Sequence, residues 1–407
     1  MQDILPLDVH VWQHIESAAR GAFSTYGYSE IRTPILEYTG VFARGIGEGT
    51  DIVEKEMYTF QDKGERSVTM RPEGTASVVR AVIERNLLNE MPTPLKLFYM
   101  GPMFRYERPQ KGRQRQFHQI GVEAFGEKGP AIDAETIAML MGLLGRVGLK
   151  SVDLQINSIG CPGCRPDFRR ALIDFFSAKS EGLCPDCQRR LGSNPLRVLD
   201  CKVPRCIELK KGAPSVLDHL CGDCDVHFKG LRQHLDDLKI AYKINPEMVR
   251  GLDYYVRTTF EVTSNDLGAQ SAVAAGGRYD LLVKEFGGPD TPALGFALGM
   301  ERLVMLLRDG AAQQPTPDAF IATIGEAALR EGMKLAEALR AEGLWIEVGH
   351  SGSMKNQMRR ADRLKARYAV VIGDDELAKG EANCKELSTG QSRLVPFKAL
   401  SKEISGS

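Results

Sequence analysis

Apolar positions recur along the first part of the chain with a helical period. Val9, Trp12, Ile15, Ala19 and Phe23 fall three or four apart, which predicts an amphipathic helix ending near Gly27. IRTPILE then loses that period and reads as extended, with Pro34 marking an edge or a break. SVTMRPEGTASVVRAVIERNLL passes from a strand through a Pro-Glu-Gly turn into a helix, which puts Glu73, Gly74 and Thr75 at the junction. Junctions of this kind commonly carry binding groups. Residues 95–126 read as strand, polar loop, strand, followed by a helix at about 130–147 and the strand VDLQINSIG.

From residue 161 to 247 the pattern turns to helical segments carrying eight cysteines, and it looks like an insertion. Strand-like sequence resumes at RGLDYYVRTTFEV, continues through SAVAAGGRYD, and ends where LGFALGMERLVMLLRDG runs from a short strand into a helix. A stretch of linker composition follows. Beyond it AFIATIG, a helix to Ala341, WIEVG, the MKNQMRRADRLKAR helix and YAVVIG alternate as in a small α/β domain with a largely parallel sheet. The expected organisation is an α+β block on a mainly antiparallel sheet (1–160 and 248–310), a helical insertion (161–247), a linker (311–317) and a C-terminal α/β domain (318–407).

Charge narrows the function classes. The 53 basic residues balance 53 acidic ones, so no global field marks a nucleic-acid or membrane binder, and any polyanion site must be local. One candidate is RYERPQKGRQR, where Arg105, Arg108, Lys111, Arg113 and Arg115 face Glu107 alone; a basic loop between two core strands suits a phosphate clamp. The N-terminal sequence lacks the features of a signal peptide and no apolar run approaches ~18 residues, so a cytoplasmic location with reduced thiols is expected. Three C-x-x-C pairs (Cys161/Cys164, Cys184/Cys187, Cys221/Cys224) and the C-x4-C pair Cys201/Cys206 would suit one or two four-cysteine zinc sites. Reduced, unliganded thiols are the alternative.

Three arginine-bearing segments (FRYE, RGLDYY, GMER) and two acidic ones (RPEGT, GVEAFG) share the antiparallel block. Guanidinium forks fit phosphate and carboxylate oxygens, while buried carboxylates and tyrosine hydroxyls fit a small ligand carrying N–H groups. A lone arginine in a strand is more often a salt-bridge partner or a snorkelling residue, so the inference rests on the set.

That set resembles the class II aminoacyl-tRNA synthetases, and within them the histidyl-tRNA synthetase family. EIRTPILE stands for motif 1, FRYE with its basic loop for motif 2, and ALGFALGMERLVMLL for motif 3; RGLDYY, AAGGRYD, RPEGT and FHQIGVE are the histidine-specific signatures. The resemblance implies activation of L-histidine with ATP, Mg2+ on the β- and γ-phosphates, and transfer to tRNA(His), with the C-terminal domain resembling the family's anticodon-binding domain. It implies that Arg250 reaches the α-phosphate and the substrate carboxylate, and that Tyr254, Tyr255 and Tyr279 line the histidine pocket. Glu73, Gly74, Thr75 and Gln119 match positions that hold the α-amino group and fix the substrate. A neutral imidazole wants one acceptor and one donor, which Glu123 and Tyr255 can supply. Arg105 and Glu107 match the residues gripping α-phosphate and adenine, Arg113 lies in the motif 2 loop, and Arg302 falls on the γ-phosphate side. For Tyr279 the competing reading is a tyrosine that merely starts a helix.

RNA contacts are expected from the motif 2 loop and from Lys355, Arg359, Arg360, Arg363, Lys365 and Arg367, set against Asp362. A solvated helix face is the alternative there. Other members carry the insertion without these cysteines, so a metal held by them would be structural. Motif 1 implies a homodimer, and family chains usually carry several residues before the segment that begins here at MQDILP. The rival function is a synthetase-like histidine-sensing regulatory subunit of a histidine-biosynthesis enzyme. Such paralogues usually lack the C-terminal domain and carry eroded motifs, whereas this chain keeps both.

Overall fold

In the computed structural model, residues 2–47, 50, 52–110, 112–249, 252, 254–270, 272–307 and 314–406 are described. The chain divides into two units, Met1–Ala312 and Gln313–Ser407.

The strands of the first unit are β1 (Ser29–Glu30), β2 (Leu36–Tyr38), β3 (Tyr58–Gln61), β4 (Ser67–Met70), β5 (Leu95–Phe104), β6 (Gln116–Phe125), β7 (Asp153–Ser158), β8 (Lys243–Ile244), β9 (Val256–Thr263), β10 (Ala272–Arg278) and β11 (Ala293–Gly299). Eight of them form one sheet in the order β1-β5-β6-β11-β10-β9-β7-β8, antiparallel except at its two ends, where β1 joins β5 and β8 joins β7 in parallel. β2, β4 and β3 make a separate three-stranded antiparallel sheet.

The period of two in the central strands separates a packed face from a ligand face. Ile120, Val122 and Ala124 of β6 and Leu294, Phe296 and Leu298 of β11 enter a large core. That core is closed by the apolar stripes of the helices Val9–Thr25, Pro130–Arg146 and Gly222–Asp237. The intervening positions, Gln119, Gly121 and Glu123 on β6 and Gly295, Ala297 and Gly299 on β11, point the other way and are mostly small. A cavity is left where side chains would otherwise fill.

Three regions depart from the sequence reading. In IRTPILE only Leu36 onward is strand, and Pro34 lies in the irregular approach to it. The tyrosines of RGLDYY precede β9 rather than belonging to it. In the 161–247 segment, the helices Arg165–Ser177, Pro185–Ser193 and Pro204–Leu209 share a small core of their own, built on Phe168, Leu172, Phe176, Leu183 and Val198. The Gly222–Asp237 helix instead sends Phe228, Leu231 and Leu235 into the main core, and β8 pairs with β7, so the end of that segment packs with the sheet.

The second unit contains β12 (Ala319–Thr323), β13 (Ile346–Val348), β14 (Tyr368–Ile372), β15 (Glu381–Glu386) and β16 (Ser392–Pro396) in the order β13-β12-β14-β15-β16. β13, β12 and β14 are parallel, joined by crossover helices as the α/β pattern predicts. β15 and β16 add an antiparallel hairpin, so the sheet is mixed rather than largely parallel. Cys384 is buried in the core of this unit.

Candidate active site

The ligand face of the large sheet opens into a cavity of about 380 Å³, within the range of small-molecule sites. It is lined by Glu73, Thr75, Arg105, Glu107, Arg113, Gln119, Glu123, Tyr254, Tyr255, Tyr279 and Arg302, so the structure gathers these residues from six separate stretches of chain. Arg250 and Lys111 lie outside the described residues.

At the deep end Glu123 is buried. It accepts hydrogen bonds from Thr75 Oγ1 at 2.7 Å and from the Tyr279 hydroxyl. Burial pushes its carboxyl up to about 8 despite those two donors. The register places Glu123 opposite Gly295. A Cβ at Gly295 would lie 2.0 Å from Glu123 Oε2, so only glycine leaves the carboxylate room to lie along the sheet. Tyr279, far from being a mere helix start, is buried with its hydroxyl on this carboxylate.

Tyr254 and Tyr255 pack with ring centroids 4.7 Å apart, and Tyr254 meets Tyr279 edge-on at 5.6 Å. The three rings form one aromatic wall. Tyr279 is set in turn by Arg278, its buried neighbour, which spans the space behind the wall. Arg278 donates through Nε to both oxygens of Asp133, at 2.8 and 3.0 Å, and through its terminal nitrogens Nη1 and Nη2 to the carbonyls of Glu127 and Gly129, at 3.0 and 2.6 Å. His227 Nε2 meets the same Asp133 at 2.9 Å. Burial alone would raise the Asp133 carboxyl, but Arg278 and His227 outweigh it and hold it below the usual range.

Glu73 caps the Thr75–Glu84 helix, accepting from the N–H groups of Thr75 (2.7 Å) and Ala76 (2.9 Å). Burial raises its carboxyl. Its remaining lone pairs are available to a ligand. Gln119 Oε1 is buried with no hydrogen-bond partner among the described residues, an acceptor that calls for a donor from a bound molecule. Gly74 does not line the cavity: a Cβ there would lie 2.2 Å from the Tyr99 ring, so its role is to admit that ring.

The outer end is cationic. Arg105 donates to the Pro72 carbonyl at 2.8 Å and lies over the Phe117 ring. Glu107 sits 3.3 Å from Arg113 and 3.9 Å from Arg105. Arg302 donates to the Gly112 carbonyl at 3.2 Å, and burial together with the nearby Arg113 charge lowers its affinity for a proton. Three guanidinium groups held this close on a partly buried wall suit an anion with several oxygens.

Sequence reading missed Tyr99, Glu261 and Glu301. Glu301 accepts from the His118 backbone N–H at 2.9 Å and meets its ring nitrogen at 3.0 Å, while lining the cavity. Its signal was present, since it sits beside Arg302 in GMER. Tyr99 occupies the space left by Gly74 and Gly121, a pairing that only the strand register reveals.

The eight insertion cysteines form two groups among the described residues: Cys161, Cys164, Cys221 and Cys224, and Cys184, Cys187, Cys201 and Cys206. Within each group all sulfur atoms lie within 4.8 Å of one another. Cys161 is 3.7 Å from Cys164 and 3.9 Å from Cys221, and Cys184 is 3.9 Å from Cys201. These separations are far beyond a disulfide's roughly 2 Å. They match the ~3.8 Å edge of a tetrahedron with metal–sulfur bonds of about 2.3 Å. Backbone N–H groups of Cys221 and Cys184 donate to the sulfurs of Cys164 (3.1 Å) and Cys206 (3.3 Å), which favours thiolate.

In the second unit the basic helix Met354–Arg363 is exposed along its charged face. Arg360 pairs with Glu347 and Arg367 with Asp318, whereas Lys355, Arg359, Arg363 and Lys365 make no ion pair among the described residues.

Comparison with known proteins agrees with this geometry. Residues 1–163 and 210–303 match the family model described as histidyl-tRNA synthetase, and residues 318–406 match an anticodon binding domain. The chain is 54% identical to a histidine–tRNA ligase of Trichlorobacter lovleyi over 98% of its own length and 94% of the relative's. It is 55% identical to the Geobacter sulfurreducens histidine–tRNA ligase over 97% and 95%. Its fold matches the apo histidyl-tRNA synthetase of S. aureus with a TM-score of 0.83 and 38% identity, covering 99% of this chain and 98% of that one. The stretch 164–209 that the family model skips is the part of the insertion with its own small core. The chain belongs to the histidyl-tRNA synthetase family.

Proposed function

We propose that this protein is a histidine–tRNA ligase that joins L-histidine to ATP, releasing pyrophosphate, and passes the histidyl group from the adenylate to tRNA(His). The observation that carries the reading is one cavity with a buried Glu123–Tyr279–Thr75 cluster at one end and Arg105, Arg113 and Arg302 at the other. Glu123 accepts the imidazole N–H and Tyr255 donates to the other ring nitrogen. The ammonium group meets Glu73, Thr75 and the unpartnered Gln119 oxygen. Arg105 grips the α-phosphate, Glu107 the adenine, and Arg113 and Arg302 the outer phosphates. Arg250 completes the set by neutralising the carboxylate and α-phosphate as they approach in line. Mg2+ accompanies ATP on its β- and γ-phosphates.

The two relatives named above, both histidine–tRNA ligases at 54% and 55% identity, weigh against a regulatory subunit. Domain roles follow: 1–160 with 248–310 for activation, 161–247 as the insertion, 311–317 as the linker and 318–407 for the anticodon, reached through the exposed charges of the Met354–Arg363 helix. Each cysteine group holds one structural zinc ion. No helix among the described residues is long and apolar enough to cross a membrane, and we assign the enzyme to the cytoplasm.

A homodimer is supported by the small sheet. Leu36, Tyr38 and Phe60 share one face of β2-β4-β3 and are all exposed, an apolar patch suited to a second copy. Light scattering should give twice the mass of one chain; a single-chain mass contradicts the dimer. The functional test is charging of tRNA(His) with labelled histidine. Acid-stable transfer to tRNA supports the reading, and adenylate formation without transfer points to another acceptor.

A further inference from the structure

The two cysteine groups differ in what they touch. Cys184, Cys187, Cys201 and Cys206 lie inside the insertion's own core. The other group joins the two ends of the insertion: Cys161 and Cys164 follow β7, while Cys221 and Cys224 open the Gly222–Asp237 helix that packs into the main core. This root group is flanked by two contacts with the backbone of residues 255–257, a segment that carries part of the aromatic wall. Gly160, just before Cys161, accepts from Arg257 N–H at 2.8 Å, and Ile159 N–H donates to the Arg257 carbonyl at 2.8 Å. Arg257 is two residues past Tyr255. Arg165, just after Cys164, donates its guanidinium to the Tyr255 carbonyl. Gly160 takes a φ of +67°, and a Cβ there would lie 2.7 Å from the Cys164 Cβ, so the chain doubles back tightly onto the cysteine.

We propose that the root group, loaded with one zinc ion, is a positioning site for the histidine pocket. The ion ties residues 161 and 164 to the start of the Gly222–Asp237 helix, which the main core anchors. It thereby holds Arg165 on the Tyr255 carbonyl and fixes the Tyr254–Tyr255 wall. Four thiolates with no oxygen or nitrogen donor select zinc or a single iron. Their sulfurs are too close together to hold an iron–sulfur cluster at its corners. The second group staples a core too small to be stable alone, and among the described residues no hydrogen bond ties the residues flanking its cysteines to Tyr254 or Tyr255. The inference rests on the histidine reading of the cavity.

Its test uses the full-length protein purified without chelator. Elemental analysis should give two zinc ions per chain. Cys221→Ser should lower this to one and raise the KM for histidine about tenfold, with the KM for ATP unchanged. Cys221→His, which keeps a zinc ligand, should restore both zinc and KM. Arg165→Ala should keep both ions yet raise the histidine KM, separating the link from the metal. Cys184→Ser should also lose one ion but move the histidine KM by less than about twofold. Equal KM shifts in Cys184→Ser and Cys221→Ser, or an unchanged KM in Arg165→Ala, overturn the proposal. Calorimetric titration with histidine reads the same pattern without turnover. Wild-type protein that binds histidine but no metal overturns this inference alone, whereas protein that binds metal but no histidine overturns the ligase reading beneath it.

Discussion

The ligand cavity and the cysteine-bearing insertion are rigid for different reasons. Around the cavity a sheet of eight strands carries a continuous core on one face, and polar groups on the other are fixed by buried partners such as Thr75 and Tyr279 on Glu123. The insertion buries a handful of apolar side chains, and two sulfur tetrahedra stand where a larger core would be. Precision in the first comes from packing and burial; in the second our proposal assigns it to ligation. Perturbations should therefore separate the two regions.

The largest effect should come from Asp133→Ala, which strands the buried Arg278 charge. It should cost about 3–5 kcal/mol of global stability by denaturant unfolding, whether or not chelator is present. A loss that appears only with chelator would erase the distinction. Next is Arg250→Ala, expected to slow pyrophosphate exchange by about 10²–10³-fold. Histidine binding measured by calorimetry should fall far less, and comparable losses in both would reduce Arg250 to a binding residue.

Gly295→Ala tests the packed side more finely. The new methyl must displace Glu123 or the neighbouring strand. A destabilisation of about 1–3 kcal/mol is expected, with a raised KM for histidine and little change for ATP. An unchanged KM would show that Glu123 tolerates displacement.

The smallest effect is a pH dependence. Burial raises the Glu123 carboxyl to about 8, well above the ordinary carboxylate range. Across that window the folded chain keeps a proton that the unfolded chain has lost, so stability falls as pH rises. Glu123→Gln removes the titration, and its stability should decline less steeply than wild type, by roughly 1 kcal/mol per pH unit near neutrality. Parallel pH profiles would contradict the raised carboxyl.

Much of this was legible in the sequence because it is local. The strand-turn-helix around Glu73 and Thr75 follows from a Pro-Glu-Gly punctuation, and the alternation in FHQIGVEAF puts Gln119 and Glu123 on one face. The signatures RGLDYY, AAGGRYD and RPEGT point to the family from the sequence alone. What was not legible depends on register between distant segments. That Gly295 faces Glu123, that Tyr99 fills the gap beside Gly74, and that Arg278 reaches Asp133 are facts of strand pairing across more than a hundred residues or of three-dimensional packing. The division of eight cysteines into two groups was equally hidden, because C-x-x-C spacing fixes neighbours but not partners. The antiparallel hairpin of the C-terminal sheet went unread for a plainer reason: its strands are short, EANCKE is mostly polar, and SRLVP shows no alternation of polar and apolar positions.

The central claim is that the cavity reads histidine at one end and a triphosphate at the other. The most direct measurement is ATP–pyrophosphate exchange with each of the twenty amino acids in turn. Exchange with histidine alone, abolished when Glu123 is replaced by alanine, is the predicted result. Histidine binding with no exchange would contradict the claim, leaving the cavity a sensor and the arginine cluster without a reaction.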